Sequence, residues 1–204
     1  MRNLKFLPNI LMCCLLVLFL GCATTKITSI WKDSAFSANK LGKVMVVGVA
    51  EEEGARRVFE DAFVLQLRNK NVDAISSYNK FSLEEIQNNK DSVNVLMQQE
   101  AVNTVIVTRM IDRKTEQVYY PPDYHTPSTT YRHGWHDYYS TGYATMISPG
   151  YFETYDIVKL ETNVYDAQSD KLLWSGLSES SFEKGAGSQK IGEVVEKVIT
   201  ALLK

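Results

Sequence analysis

The sequence contains little cysteine, and none of it lies beyond residue 22. The chain of 204 residues has three cysteines, Cys13, Cys14 and Cys22. Without a thiol, the part of the chain after residue 22 has no cysteine nucleophile, redox thiol, disulfide or cysteine zinc site. Its stability must therefore come from packing alone.

The sequence also lacks common catalytic motifs and an excess of positive charge. It has no nucleophile elbow, no phosphate-binding loop with its Lys and Ser, and no metalloprotease helix motif. Its 22 basic residues against 24 acidic ones give a net charge of -2, which does not suggest a nucleic-acid surface. We predict a protein that is not an enzyme and does not bind nucleic acid.

The first 21 residues have the composition of a secretory leader. Two basic residues precede a mostly apolar run from Phe6 to Leu20, and small residues flank its end. A membrane-spanning helix is the alternative, but it needs about 20 apolar residues, and Pro8 and Asn9 shorten this run. We predict that residues 1–21 are a cleaved signal peptide.

The end of this leader, Phe19-Leu20-Gly21-Cys22, resembles a bacterial lipoprotein signal. The resemblance implies that Cys22 becomes the first residue and carries a covalent lipid, and we expect no other cofactor. Two or more acyl chains hold a protein stably on a membrane. Because Ala23 and Thr24 stand where Asp often marks inner-membrane retention, the resemblance implies an outer-membrane lipoprotein on the periplasmic face.

The rest of the chain is long enough for one domain with a substantial core. Residues 22–43 are polar and lack a sustained period, so we predict a tether, with Trp31 anchoring its second half on the domain. Residues 44–204 are predicted to form a single α/β domain.

The first half of this domain alternates strands and helices. Val44–Ala50 is a continuous valine-rich run, typical of a strand covered on both faces, and we predict that it is the central strand. Residues 71–76 and 104–111 read as further strands, and the alternation implies parallel pairing. A capping box, Ser82-Leu-Glu-Glu85, begins one helix or a broken pair of helices up to about residue 101.

The helix after the first strand shows an apolar spacing of three and four residues between Ala55 and Leu67. Charged residues fall between the apolar positions, and such clusters are usually solvated. We therefore predict a solvated face formed by Arg56, Arg57, Glu60 and Asp61.

In the second half of the domain, apolar and polar residues alternate along the chain. Residues 156–165 and 171–182 predict an antiparallel hairpin with one wet face and with Trp174 in the core. The apolar stripe of residues 191–202 predicts a last helix that covers one sheet face. The complete prediction is a two-layer or three-layer mixed sheet of about five strands, in the order βαβαβββα, parallel first and antiparallel in the C-terminal hairpin.

Residues 117–150 form a predicted long loop of unusual composition. The loop holds all three histidines, four of the five prolines, seven tyrosines and Trp135. Loops of this length tend to be functional or disordered, and this one is too aromatic for plain disorder. Tyr and Trp bring large amphipathic contact areas to binding surfaces. We predict a partner-binding surface formed by Tyr131, Trp135, Tyr138, Tyr139 and Tyr143.

Two other interpretations of the loop stay open. It can be an aromatic flap that lies over the hairpin and only stabilises the fold. It can also hold a metal, since His133, His136 and Asp137 lie close together and His125 could complete the set. The second interpretation predicts a metal-binding protein or a metal-dependent enzyme.

Several short motifs, in this order, resemble a family of uncharacterised proteobacterial lipoproteins. Besides the leader and the Tyr-rich loop, they are Trp31-Lys-Asp33, Val44–Ala50, Arg57-x-Phe59-Glu60-Asp61, Glu161-Thr-Asn-x-Tyr165-Asp166 and Leu173-Trp174-Ser175. The order of elements is also similar to the N-terminal domain of TolB and to the CsgG and LpoB groups of outer-membrane lipoproteins. These resemblances imply a periplasmic interaction domain.

The leader, the loop and the missing catalytic motifs together predict a lipid-anchored periplasmic binding or assembly module. Its expected partners are the outer membrane, through the acyl chains, and another envelope protein or peptidoglycan, through the Tyr/Trp-rich loop.

Overall fold

The computed structural model of the protein describes residues 25–121, 134–136, 139–140 and 150–204. The predicted signal peptide and the lipidation site at Cys22 lie outside the described residues. So do six residues of the predicted binding and metal sites: His125, Tyr131, His133, Asp137, Tyr138 and Tyr143.

Six strands form one mixed sheet. In chain order they are β1 (Thr25–Lys32), β2 (Val44–Val49), β3 (Ala74–Ser76), β4 (Thr104–Tyr120), β5 (Tyr151–Asp166) and β6 (Leu172–Glu183). Across the sheet their order is β1-β6-β5-β4-β2-β3. β2 pairs in parallel with β3 and β4, and the other neighbouring strands are antiparallel.

Four helices complete the domain that the structure describes. They are α1 (Glu53–Asn69), α2 (Leu83–Asn88), α3 (Lys90–Gln99) and α4 (Gly187–Leu202). The capping box is present, because Ser82 accepts a hydrogen bond from the Glu85 N–H and the Glu85 carboxylate accepts one from the Ser82 N–H. None of the described helices is both long and apolar enough to cross a membrane.

The valine-rich strand β2 is covered on both faces, as predicted, but it is not central. Val44 and Val46 face one core, and Met45 and Val47 face the other. β2 lies second from the edge, with only the short β3 beyond it. The reason is that the chain after β4 turns back as a hairpin on the far side of β4, so all later strands add to that side.

The predicted tether is wrong for residues 25–32, which form the edge strand β1. β1 pairs with β6 through the backbone, so its formation needs no apolar period in its sequence. The hydroxyls of Thr25 and Ser180, which are both buried, lie 3.0 Å apart. Trp31 is half exposed, and Phe36 is the aromatic residue of this region that enters the core.

Two apolar cores lie on opposite faces of the sheet. On one face α1 and α4 pack against β2, β4, β5 and β6, and this core contains Phe63, Ile106, Val164, Trp174 and Ile199. On the other face α3 packs against β2 through Met45, Val47 and Met97. α1 covers the parallel end of the sheet, at β2 and β3, and α4 covers the antiparallel end, at β6 and β1.

The predicted solvated cluster of α1 is wrong for two of its four residues. Arg56 and Glu60 are only 2% and 0% exposed, and their Nε and Oε1 atoms lie 2.9 Å apart. Glu60 also accepts hydrogen bonds from the N–H groups of Gly48 and Tyr78 and from the hydroxyl of Ser77. These donors come from the ends of β2 and β3, so the pair fixes α1 to the sheet.

The predicted antiparallel hairpin is confirmed as β5 and β6, with Trp174 buried. Its other face is wet and carries ion pairs such as Arg109–Glu161, at 2.7 Å, and Lys159–Glu179, at 3.5 Å. The observed order differs from the predicted one because β1 precedes it and the second helical segment is divided into α2 and α3.

Candidate functional site

The long hairpin of β4 and β5 extends beyond the rest of the sheet. β4 has 17 residues and β5 has 16, and they pair from Thr104 and Asp166 as far as Tyr120 and Tyr151. Along β4 the pairing with β2 ends at Arg109, and along β5 the pairing with β6 ends at Tyr155. The last residues of β4 and the first residues of β5 therefore form a two-stranded ribbon, and residues 117–120 of the predicted loop belong to it as part of β4.

Four aromatic side chains occupy the end of this ribbon, and we call them the aromatic end: Tyr119, Tyr120, Tyr151 and Phe152. The rings of Tyr119 and Phe152 lie 5.0 Å apart and tilted by 45°, while those of Tyr120 and Tyr151 lie 5.2 Å apart and stacked. Because neighbouring residues of a strand point to opposite faces, each face of the ribbon carries one pair. Phe152 is 66% exposed, and Tyr119 and Tyr151 are also more than half exposed.

A hydrogen-bonded cluster supports the aromatic end from one face. The hydroxyl of Tyr155 lies 3.1 Å from that of Tyr120 and donates a short hydrogen bond to the Glu153 carboxylate. The bond to Glu153, followed by that to Tyr120, raises the pKa of Tyr155 above its ordinary value. Tyr155 therefore keeps its proton to a higher pH than an ordinary tyrosine does.

The other face of the ribbon is held by Asp156. Its carboxylate accepts hydrogen bonds from Thr115, at 2.8 Å, and from Arg113, at 3.1 Å. These two bonds lower the pKa of Asp156 below its ordinary value. Because Arg113 and Thr115 belong to β4 and Asp156 to β5, the cluster ties the two strands together below the aromatic end.

An apolar groove of about 590 Å³ opens at the base of the ribbon, between the sheet and the N-terminal ends of α1 and α4. Charged groups on its rim are Arg113, Asp156 and Lys184. A groove of this size can receive an apolar group of a partner bound at the ribbon. Its apolar lining includes Phe59, Met110, Leu160, Phe182 and Ile191.

Only two of the five predicted partner-binding residues are described by the structure. Trp135 is 78% exposed, Tyr139 is exposed as well, and the Trp135 ring lies 5.6 Å from that of His136. Tyr131, Tyr138 and Tyr143 lie outside the described residues, so the surface they were predicted to form stays a prediction.

The metal alternative is limited in the same way. Of its residues only His136 is described, and its backbone carbonyl accepts a hydrogen bond from Ser140. Within the described ranges no group of three or more His, Cys, Asp or Glu side chains is placed to hold a metal ion.

Sequence reasoning placed the binding surface inside the loop and missed its two ends. Tyr151 and Phe152 were not singled out, and Tyr119 and Tyr120 were counted only as part of the composition of the loop. The available signal was the sequence on each side of the loop, Val118-Tyr119-Tyr120 and Tyr151-Phe152, which continues two strands with large apolar residues.

No family model and no curated protein matches this chain. Among solved structures, it is similar to the PelC dodecamer from Paraburkholderia phytofirmans, with 11% identity, a TM-score of 0.49, and coverage of 88% of this chain and 97% of that one. It is also similar to lipoprotein GNA1162 from Neisseria meningitidis, with 12% identity, a TM-score of 0.44, and coverage of 79% and 97%. A minor lipoprotein from Acinetobacter baumannii follows, with 9% identity, a TM-score of 0.34, and coverage of 80% and 90%. Similarity at this level leaves the function of this chain open.

Proposed function

We propose that this chain is a lipid-anchored, non-catalytic binding module of the cell envelope that contacts a membrane protein of the outer membrane through the aromatic end and the loop beyond it. The observation that carries the proposal is the aromatic end itself. Its rings pack against each other on a ribbon outside both cores, and three of the four are more than half exposed.

Exposed aromatic rings at a projecting end are typical of a binding surface. The two cores already contain buried aromatic residues, among them Phe63, Phe81 and Trp174, so the aromatic end contributes nothing to them. Tyr and Trp are enriched where protein interfaces bind most strongly, because their rings remove much area from water. Trp135 and Tyr139, which lie between β4 and β5 in the sequence, are exposed as well, and we propose that they extend this surface.

The position of β1 supports a partner close to the membrane. Cys22 precedes Thr25, where β1 begins, by three residues, which an extended chain spans in at most about 10 Å. Thr25 pairs with Ser180, Ser180 with Val158, and Val158 with Arg113. β1 runs from this row toward the opposite end of the sheet, so Thr25 is the residue of β1 that lies nearest the aromatic end.

A lipid on Cys22 would therefore hold the aromatic end near the leaflet that contains the lipid. This arrangement favours a protein of the same membrane over peptidoglycan, which would lie further from that leaflet. Restriction to one surface also raises the effective concentration of such a partner without any further contact.

The proposal is tested by photo-crosslinking in living cells from positions 135, 139 and 152. We expect the same outer-membrane protein to be captured from all three, and the product to be lost when Tyr119 and Tyr151 are both replaced by Ser. Leu65 is the matched control, because it is 59% exposed on α1, away from the ribbon.

Three results would overturn the proposal. The first is capture of peptidoglycan or of lipid alone. The second is capture of the same protein from Leu65, and the third is no product from any of the three positions.

A further inference from the structure

β4 has an open edge over its second half. β2 pairs with this edge only along Thr104–Arg109, and no strand of the described residues lies along Met110–Tyr120 on that side. An open edge presents backbone N–H and C=O groups with which another strand can pair. Proteins often block such an edge with a bulge or a Lys, and β4 has a bulge between Met110 and Asp112 and a Lys at position 114.

We propose that this edge binds the same edge of a second copy of the chain, antiparallel and centred on Thr115, so that the two sheets join across a two-fold axis. In this register a residue that precedes Thr115 in one copy lies opposite the residue that follows Thr115 by the same number of positions in the other copy. Lys114 of one copy then faces Glu116 of the other, and symmetry repeats the contact. Such self-complementary interfaces are the commonest basis of homodimers.

The charges of β4 select this register over its neighbours. Centring the pair on Lys114 places two lysines opposite each other, and centring it on Glu116 places two glutamates opposite each other. Centring it on Arg113 sets two arginines together. Opposite charges stabilise a cross-strand pair and like charges destabilise it, so only the register on Thr115 gains from both charges.

The two charges are available for this exchange. Within one chain the Lys114 Nζ and Glu116 Oε1 atoms lie 2.5 Å apart, and both side chains are about half exposed. Pairing therefore exchanges two solvated contacts, one within each chain, for two contacts between the chains.

The same register covers exposed apolar residues at both ends of the edge. Because of the bulge, Met110 lies on the same face of β4 as Tyr119, so Tyr119 of one copy comes to lie beside Met110 and the bulged Ile111 of the other. Met110, Ile111 and Tyr119 are 52%, 41% and 51% exposed in the single chain. Pairing removes part of this exposed apolar area from water.

The two lipid anchors also fit this arrangement. Thr25 lies in the same row of the sheet as Arg113, two residues from the centre of the pair at Thr115. Because the paired strands are antiparallel, the two chains would enter the joined sheet from opposite ends, one on each side of the axis, and both anchors reach one leaflet when the joined sheet lies along it. This point alone rests on the proposed lipidation, while the strand pairing does not.

The test uses the full chain in the cell envelope, with Thr115 replaced by Cys. Residues directly opposite in antiparallel strands have Cα atoms about 4.5 to 5.5 Å apart, which a disulfide can bridge. The chain has no other thiol after residue 22, so no other residue of the domain can form a disulfide. We expect a disulfide-linked dimer from Thr115→Cys and none from Leu65→Cys, a control at another exposed position.

A second pair of substitutions tests the register without changing Thr115. Arg113 should lie opposite Gln117, so a chain carrying both Arg113→Cys and Gln117→Cys should crosslink. Either substitution alone should give a much weaker product, because each then faces a residue without a thiol.

Charge exchange tests the complementarity. Lys114→Glu or Glu116→Lys should each reduce the Thr115→Cys crosslink about tenfold, because each sets like charges opposite each other twice. The double exchange should restore it. Lys190→Glu is the matched control, since Lys190 makes a similar ion pair with Glu193 on α4, away from the edge.

The inference is overturned if neither thiol design yields a dimer above the Leu65→Cys level, or if the double exchange does not restore the product. Either failure leaves the proposed function standing, because that contact is measured from positions 135, 139 and 152.

Discussion

The indole of Trp174 occupies the space beside Gly176, two residues further along β6. A Cβ atom at Gly176 would overlap three atoms of the six-membered ring of Trp174. Trp174 is buried in the core beneath α4, and it lies along its own strand because Gly176 has no side chain. The glycine is thus a packing requirement of the largest residue in the core.

We predict that Gly176→Ala destabilises the protein by about 1 to 3 kcal/mol, because the indole must leave its position in a filled core. Gly192→Ala is the control, since nothing lies within 4 Å of a Cβ there and the site is in the middle of α4. The control should gain up to about 1 kcal/mol from helix propensity. Urea unfolding of both variants measures the difference, and equal stabilities would contradict this account.

The buried pair of Arg56 and Glu60 predicts a strong asymmetry between single and double substitutions. Glu60→Leu leaves a buried guanidinium without its carboxylate and should cost about 3 to 5 kcal/mol. Adding Arg56→Met should recover part of this loss. The exposed pair of Arg57 and Glu53, at 3.8 Å, is the control, and its loss should cost less than about 1 kcal/mol. A double variant no more stable than Glu60→Leu would show that the ion pair is not the cause.

The capping box of α2 predicts a smaller effect. Ser82→Ala removes the hydroxyl that accepts the Glu85 N–H at 3.1 Å, and should cost about 1 kcal/mol. Ser37 is the matched serine, because it precedes the short turn Ala38–Lys40 without a side-chain capping bond. Ser37→Ala should therefore change the unfolding free energy by less than about 0.5 kcal/mol. Equal costs would remove the capping explanation.

Asp156 predicts a dependence of stability on pH. Its pKa is lowered in the folded protein by Thr115 and Arg113, and to a smaller extent by Lys184. A lowered pKa stabilises the fold above the unfolded pKa of about 3.9, and this contribution is lost as the pH falls through the folded pKa. Asp156→Asn should thus be less stable than the native chain at pH 7, and this difference should shrink at pH 3. A difference that stays constant would contradict the prediction.

The proposed anchor predicts a change in fractionation. Cys22→Ser should release the protein from the membrane fraction and abolish labelling with palmitate, because the thioether can no longer form. Cys13→Ser is the control, since Cys13 lies in the predicted leader and should not affect the lipid. If the Cys22→Ser protein fractionates like the native chain, the anchor and the argument for a partner near the membrane both fail.

Much of the domain could be predicted because its signals are local. The valine run of β2, the alternation of β5 and β6 and the apolar stripe of α4 each report which side of one element is buried. The binding surface was harder to predict. Its composition pointed to residues 131–143, whereas the described rings that pair with one another, Tyr119 with Phe152 and Tyr120 with Tyr151, stand at the two ends of the loop.

The α/β class, the parallel and antiparallel halves and the buried position of Trp174 could be predicted from local patterns, because periodicity and turn residues act over short distances. Three other features became visible only in the folded chain: residues 25–32 join the sheet, Arg56 and Glu60 are buried, and β4 extends beyond β2. Each of these depends on partners distant in sequence or on where a neighbouring strand ends. No local pattern encodes that information, because a backbone edge or a buried ion pair is defined by what lies opposite it.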